Sequence, residues 1–205
     1  MPCNIDWLAF LVAMAVVELT PGPNMGWLTA LSAQKGRRTG FMAVLGITLG
    51  LAVQLVAAAT GISAIVSANP AIYHTLRWGG VAFMLYLAWE AFADGGEKAV
   101  GEADHMAGFR RGFIANLLNP KALVFYVAVV GQFATCEQWP VAGQVLILGS
   151  LHIAVAIAVH VLLVLLGSGL GEKISQWRQA LGVRIGFAAA LASIALWIAI
   201  STHPG

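Results

Sequence analysis

Long apolar runs are the feature that most limits what this chain can form. About six are present, and each has roughly the 20 residues that an α-helix needs to cross the hydrocarbon core of a bilayer. They cover residues 5–33, 40–66, 71–93, 109–134, 141–166 and 183–201. Backbone N–H and C=O groups find no water inside hydrocarbon, so such runs cross it only as helices. The pattern predicts an all-α integral membrane protein with about six transmembrane helices.

The composition supports a membrane protein and excludes several other classes. Charged residues make up 10% of the chain and hydrophobic residues 60%. A soluble domain carries about 25% charged residues, so this chain lacks the charge to cover a water-facing surface. The net charge of +2 is too small and too dispersed to indicate a nucleic-acid partner. Residues 1–6 contain no Lys or Arg, and we expect no cleavable signal peptide.

A polar stretch divides the chain nearly in half. Residues 94–108 form a linker between two halves, about 1–93 and 109–201, each with three apolar runs, and we predict one transmembrane domain over 1–205. Positive charge concentrates in alternate joints, which are expected in the cytoplasm. These residues are Lys35, Arg37 and Arg38 in the first joint, Lys98, Arg110 and Arg111 at the third, and Lys173, Arg178 and Arg184 at the fifth. Both termini are then outside. Three spans per half give the halves opposite orientations, which predicts an inverted repeat.

The first apolar run is interrupted at its centre by Thr20-Pro21-Gly22-Pro23-Asn24. Each proline removes a backbone donor and clashes with the carbonyl one turn earlier. In a membrane such a break survives only where it is buried in protein or lines a watery cavity. Thr20 followed by Pro21 is typical of a helix start, with a capping hydroxyl and then proline at the first helical position. We therefore predict that one helix ends near Glu18 and that a second begins at Pro21.

A second interruption occupies the matching place in the second half. The segment Asn116-Leu117-Leu118-Asn119-Pro120-Lys121 lies inside the run 109–134, and Asn119-Pro120 is again a cap followed by proline. Two broken helices at corresponding positions favour the substrate site of a transporter. Two proline kinks without a ligand are the alternative, since proline is fairly common in membrane helices.

Charged side chains accompany both breaks. Glu18 lies about 20 Å along the first helix, near the bilayer midplane, where a carboxylate costs at least ~2.5 kcal/mol and should face the protein interior. It could bind a substrate ammonium, carry a coupling proton or form an ion pair with Lys121. Lys121 follows the predicted cap Asn119 and adds to the positive field of a helix start, which suits a substrate carboxylate. Snorkelling of Lys121 to the cytoplasmic headgroups is the alternative.

Uncharged polar residues form a weaker set of candidates. Asn24 and Asn116 could repair the broken backbone or contact substrate. Gln54 is expected to link helices, with a role in specificity as the alternative. His152 and His160 are eight residues apart and share one helix face, so they form either a proton relay or two satisfied core histidines.

The ordered set of motifs resembles the LysE/RhtB family of amino-acid exporters. It comprises the segment 20–24, then Gly36-Arg37-Arg38-Thr39-Gly40 leading to Gly46 and Gly50, then Gly112-Phe113 and Asn119-Pro120-Lys121. The resemblance covers almost the whole chain. It implies an exporter of amino acids or their derivatives in the inner membrane, driven by an ion gradient and working as an oligomer. Glu18 departs from the family pattern, which has an apolar or small residue there, and this leaves the substrate and the coupling open.

Two other functions are alternatives to an exporter. A transporter of metal ions or inorganic anions would use a His and carboxylate cluster, for which Glu18, His152 and His160 are the candidates. A membrane redox protein is disfavoured, because Cys3 and Cys136 lie at the outer ends of spans and form no metal or redox motif. We predict no enzymatic activity, no cofactor and no resident metal.

Overall fold

The computed structural model describes residues 5–19, 22–61, 69–93, 101–173 and 181–201. Every regular element in these ranges is helical, as predicted. The elements are α1 (Trp7–Leu19), α2 (Pro23–Ala59), α3 (Pro70–Ala93), α4 (Glu102–Leu117), α5 (Pro120–Val124), a π-helical segment (Phe125–Val130), α6 (Gly131–Phe133), α7 (Val141–Lys173) and α8 (Leu181–Ser201).

Two of the described helices are long and apolar enough to cross a membrane, Asn24–Ala59 and Val141–Lys173. A third candidate is the pair Glu102–Leu117 and Lys121–Phe133, which meet at a 52° bend and count if they form one broken span. Many large apolar side chains point outwards, among them Leu8, Leu19 and Trp89. An exposed apolar surface of this kind suits lipid contact. The described ranges thus give an all-α membrane protein with two or three clear spans, fewer than the six predicted.

The helix α2 contains a sharp reversal at Gly36. This glycine has φ +80° and ψ 179°, a left-handed conformation that residues with a Cβ rarely adopt. A Cβ built on Gly40 would lie 2.5 Å from Ser32 Oγ, whereas eight residues of straight helix rise about 12 Å. The two parts of α2 therefore fold back on each other at the predicted first joint, so the candidate span Asn24–Ala59 is bent and is not one straight helix.

Glycines let α2 approach its neighbours at backbone distance. It packs most extensively against α4 and α7, while α3 packs against α8. A Cβ on Gly46 would lie 2.0 Å from the Phe109 carbonyl oxygen of α4, and one on Gly112 would lie 2.3 Å from the Ala43 oxygen. On the other side, a Cβ on Gly171 would lie 2.1 Å from the Ala33 oxygen. A side chain at any of these three positions would therefore clash with the backbone of the neighbouring helix.

Basic residues from separate joints gather at one end of the molecule. Lys35 and Asp104 lie 3.5 Å apart, linking the Gly36 turn to the start of α4. Arg37 donates to Ser168 at 3.2 Å and to Glu172 at 3.4 Å, near the end of α7. Arg111 pairs with Glu90, and Arg184 donates to the Phe92 carbonyl. The first, third and fifth joints thus share one face; Lys98 and Arg178 lie outside the described residues.

The first break differs from its prediction in one respect. α1 ends at Leu19, beside the predicted Glu18, but α2 begins at Pro23 rather than Pro21. Gly22 is the capping residue, in extended conformation, and its carbonyl oxygen accepts from the N–H groups of Met25 and Gly26. Pro23 rather than Pro21 takes the first helical position, where its missing N–H costs nothing. The proposed cap Thr20 lies outside the described residues, as does Pro21.

The second break begins as predicted. Asn119 Oδ1 accepts from the backbone N–H of Lys121 at 3.1 Å, and Pro120 is the first helical residue of α5. The helix continues from α5 into the π-helical segment and then α6. Such π-helical turns often occur at functional sites.

Candidate functional site

A narrow cavity joins the two breaks. The volume of this cavity is about 30 Å³, which is enough for water but not for an amino acid. Most of the predicted site residues line it. The lining residues are Val17, Glu18, Gly22, Asn24, Met25, Leu51, Asn116, Asn119, Lys121, Ala122, Phe125, His152 and His160. The two halves of the chain therefore contribute to one site.

The carboxylate of Glu18 has a histidine partner. Glu18 Oε1 lies 2.8 Å from His152 Nε2, linking the end of α1 to the middle of α7. The other ring nitrogen, His152 Nδ1, lies 3.1 Å from the hydroxyl of Tyr126. The face of His152 rests on the ring of Phe125, with centroids 4.1 Å apart. Burial of a carboxylate is tolerated when it is paired and hydrogen-bonded in this way.

Lys121 lies in the same cavity as Glu18. It is partly buried and attracts the carboxylate through space. Its predicted roles, as partner of a substrate carboxylate or as a lysine snorkelling to headgroups, stay predictions. The cavity thus holds one acid and one base at its two breaks.

Asn24 and Asn116 bind each other across the two halves. Asn24 Nδ2 donates to Asn116 Oδ1 at 2.9 Å, and both residues are buried. Asn24 Oδ1 and Asn116 Nδ2 have no hydrogen-bond partner. Each amide thus uses one polar atom on the other and has one polar atom without a partner, and contact with substrate stays a prediction.

Gln54 performs the backbone repair instead. Its Nε2 donates to the carbonyl of Asn116 at 3.1 Å, at the end of α4 where the helix breaks. The carbonyl groups in the last turn of a helix have no partner within that helix. Gln54 therefore links α2 to α4, as predicted.

His160 lies two turns along α7 from His152 and faces the same cavity. It is buried, and its Nδ1 has no hydrogen-bond partner. The interpretation as two satisfied core histidines thus fits His152 but not His160. Within the described residues, no group of three or more His, Cys, Asp or Glu side chains could hold a metal ion.

Tyr126 was missed from the sequence. It lies six residues after Pro120 in an otherwise apolar stretch, and a lone hydroxyl so close to a break was the available signal. The Glu18–His152 pair was also missed, although both residues were candidates. Depth along separate helices does not specify which faces meet.

Comparison with known proteins decides the family. A family model described as LysE type translocator matches residues 15–202. The chain belongs to the LysE type translocator family. The description of the family is that of a translocator. The resemblance found in the motifs is confirmed.

Three bacterial relatives are similar to the chain. An uncharacterized membrane protein of Pseudomonas aeruginosa is 31% identical over 62% of this chain and 63% of its own length. One of Vibrio cholerae is 31% identical over 70% of this chain and 71% of its own. The leucine efflux protein of Salmonella choleraesuis is 28% identical over 63% of each. The chain thus spans a little under two thirds of the length of the first and third of these relatives. No solved structure matches.

Proposed function

We propose that this translocator exports amino acids or their derivatives across the bacterial cytoplasmic membrane. The observation that carries the proposal is the single cavity in which both breaks, one carboxylate, one lysine and two amides with unused polar atoms meet. An amino acid has an ammonium and a carboxylate on one carbon, and the cavity offers a partner for each.

The carboxylate side of the site consists of Lys121 and Asn116. Lys121 supplies the positive charge, and the unused Nδ2 of Asn116 supplies a donor. The first turn of α2, which begins after the cap Gly22 with Pro23, adds the positive field of a helix start. Thr20 and Pro21 lie outside the described residues, and their contribution stays a prediction. Asn119 holds the start of α5, and Pro120 fixes its first residue.

The ammonium side of the site consists of Glu18 and Asn24. Glu18 supplies the negative charge, and the unused Oδ1 of Asn24 supplies an acceptor. Amide orientation is an assignment from the hydrogen-bond network. Turning both amides around reverses the bond between Asn24 and Asn116 but again leaves one donor and one acceptor. The pair is therefore suited to a zwitterion in either orientation.

Coupling to a proton gradient follows from Glu18. A substrate ammonium and a proton compete for the same carboxylate, so binding of one favours release of the other. His152 contacts Glu18 directly, and His160 provides a second titratable ring in the cavity. We therefore assign the coupling to Glu18 with the two histidines.

The sidedness of the protein follows from its charges. Basic residues of alternate joints share one end, which we place in the cytoplasm. Cys136, after α6, is disulfide-bonded, and disulfides persist in oxidising compartments such as the periplasm. Both termini are then outside, with 94–108 cytoplasmic. Two broken spans facing one cavity support an inverted repeat of halves 1–93 and 109–201. A homo-oligomer remains a prediction of the resemblance.

Counterflow in proteoliposomes tests the export proposal. The purified protein is reconstituted into vesicles loaded with one unlabelled amino acid, and entry of the labelled amino acid is followed. Leucine is the first substrate to try, because a relative is named a leucine efflux protein. Exchange of at least one amino acid above empty vesicles is expected. Exchange of none in a screen of amino acids and their derivatives, by protein that remains folded, would contradict the proposal.

A further inference from the structure

Tyr126 is a buried polar residue that the predicted substrate site does not include. It lies in the π-helical segment of the second half and is 1% exposed. Its hydroxyl is 3.1 Å from His152 Nδ1. Among the described residues it contacts no other hydrogen-bonding group. Through His152, this hydroxyl is joined to Glu18 and hence to the first break.

Counting hydrogens selects one protonation state for this chain of three groups. A neutral imidazole has one N–H donor and one acceptor nitrogen. If Nε2 carries the hydrogen, it donates to the Glu18 carboxylate, and Tyr126 donates to Nδ1. Every donor and acceptor along the chain is then used.

The other neutral tautomer leaves groups unsatisfied. With the hydrogen on Nδ1, that N–H donates to the Tyr126 oxygen, and the phenolic hydrogen is left buried without an acceptor. The lone pair of Nε2 would then face the Glu18 carboxylate unless the carboxyl is protonated. A buried donor without a partner is costly. The geometry therefore favours the Nε2–H form.

Aromatic neighbours restrict rotation of the His152 ring. Phe125 packs on one face of His152, and Tyr126 meets it edge-on at 5.3 Å between centroids. His152 is itself 1% exposed. A half-turn of the ring would put ring carbons where Nδ1 and Nε2 now face Tyr126 and Glu18, and it requires both aromatic neighbours to move.

We propose that Tyr126 is a positioning residue that holds His152 in its Nε2–H tautomer, so that the histidine always presents a donor to Glu18. The histidine then receives a proton only if the Tyr126 hydroxyl turns from donor to acceptor. Tyr126 thus controls proton exchange between His152 and Glu18. The link to transport rests on the proposed function, whereas the tautomer itself does not.

Three other titratable side chains line the cavity with His152, and they come from three helices. Glu18 lies on α1, Lys121 on α5 and His160 on α7, and all three line the cavity with it. The cavity residues contributed by α2 are uncharged: Asn24, Met25 and Leu51. Tyr126 is the neighbour on the side away from Glu18. Its substitution therefore changes the environment of His152 without removing a charge.

Nitrogen NMR of histidine-labelled protein tests the tautomer directly. The protein has five histidines, and the His152 signals are the ones lost in His152→Gln. At a pH where the ring is neutral, we expect the wild type to show Nε2 protonated. In Tyr126→Phe the ratio of the Nε2–H to the Nδ1–H form should fall about five-fold, the effect of one lost hydrogen bond. Tyr86→Phe is the matched control, because Tyr86 lies on the exposed surface of α3.

The pH dependence of transport is the second measurement. The pH midpoint of counterflow should move by about half a unit or more in Tyr126→Phe, and it should not move in Tyr86→Phe. A wild-type spectrum with Nδ1 protonated overturns the proposal, even if Tyr126→Phe fails to fold. An unchanged tautomer ratio in folded Tyr126→Phe overturns it as well. Transport independent of pH in the wild type would instead contradict proton coupling, and the spectrum would still test Tyr126.

Discussion

At the scale of single residues, the cavity shows how a charge is kept inside a membrane. Glu18 is bonded to His152, and Lys121 attracts it across the cavity. An isolated buried charge is far more costly than one with a bonded partner. Four buried side-chain atoms of the described residues have no partner: Asn24 Oδ1, Gln54 Oε1, Asn116 Nδ2 and His160 Nδ1. Buried polar atoms are rarely left so, which points to a ligand in the working protein.

Glu18→Gln tests the role of this carboxylate. The amide keeps the size of the side chain and its oxygen still accepts from His152, so the protein should accumulate normally. Counterflow should fall at least about ten-fold, because the substrate ammonium loses its hydrogen bond to a charged carboxylate. Glu172→Gln is the control: this acid is exposed and pairs with Arg37 at the charged end, and its loss should leave transport unchanged. Undiminished, equally pH-dependent transport by Glu18→Gln would remove the carboxylate from the mechanism.

The sequence identified many of the lining residues but not their pairings. Proline and asparagine at the breaks are local signals, and Glu18 and Lys121 stand out because charge is rare in a span. Which side chains meet depends on how helices rotate about their axes, and no local pattern encodes that. Hence the bonds from His152 to Glu18 and Tyr126, and the bond between Asn24 and Asn116, were found only in the structure.

At the scale of elements, glycine contacts fix where the site residues lie. α2 touches α4 at backbone distance near Gly46, and a Cβ on Gly50 would lie 2.9 Å from Asn116 Nδ2. Small residues at such positions let membrane helices approach closely. The close contact brings Asn116 within reach of Asn24. Packing of α2 against α4 is therefore a condition for the amide pair.

Gly46→Ala should loosen this contact. The added methyl would fall 2.0 Å from the Phe109 carbonyl oxygen, so the helices must separate. Overpacking of this kind typically costs about 1–3 kcal/mol, and we expect a lower melting temperature and weaker transport. Gly169→Ala on α7 is the control, since nothing lies within 4 Å of its Cβ position. The measurement is thermal unfolding of the two purified variants in detergent. Equal melting temperatures of Gly46→Ala and Gly169→Ala would mean that the α2–α4 contact is not tight.

Element boundaries were predicted as well as capping rules allow. Asn119-Pro120 starts α5 as expected, because the second break contains only one proline and a capping asparagine directly precedes it. In the first break two prolines compete for that position, and Pro23 takes it rather than Pro21. The reversal at Gly36 was predicted as a joint because charge and glycine coincide. Helix lengths within the membrane were less predictable, since hydropathy does not mark where a helix bends.

At the scale of the whole molecule, charge and cysteine chemistry define two ends. The basic residues of alternate joints lie at one end. Cys136 is disulfide-bonded, and Gln144 Oε1 accepts from its backbone N–H at 2.8 Å. Alternating access requires the small cavity between these ends to open to each in turn. The orientation of the ends sets the direction of transport relative to the gradient.

Thiol labelling of whole cells tests the orientation. After mild reduction, a membrane-impermeant maleimide added outside should label Cys136, which we place on the periplasmic side. Glu172→Cys is the matched variant, because Glu172 is exposed at the basic end; its added thiol should react only once the inner membrane is opened. The reverse pattern of labelling would invert the topology.

The central claim is that the cavity between the two breaks binds the carboxylate of an amino acid through Lys121. The most direct test is competition in counterflow by an exported amino acid and by its amide, in wild type, Lys121→Met and Lys121→Arg, with Lys173→Met as the control at the exposed end of α7. We predict that Lys121→Met weakens binding of the amino acid by about 1–3 kcal/mol, the range for a charged hydrogen bond, and weakens binding of the amide far less. Lys121→Arg should retain part of the affinity, because the charge remains while its geometry changes. An equal loss for the amino acid and its amide would contradict the claim.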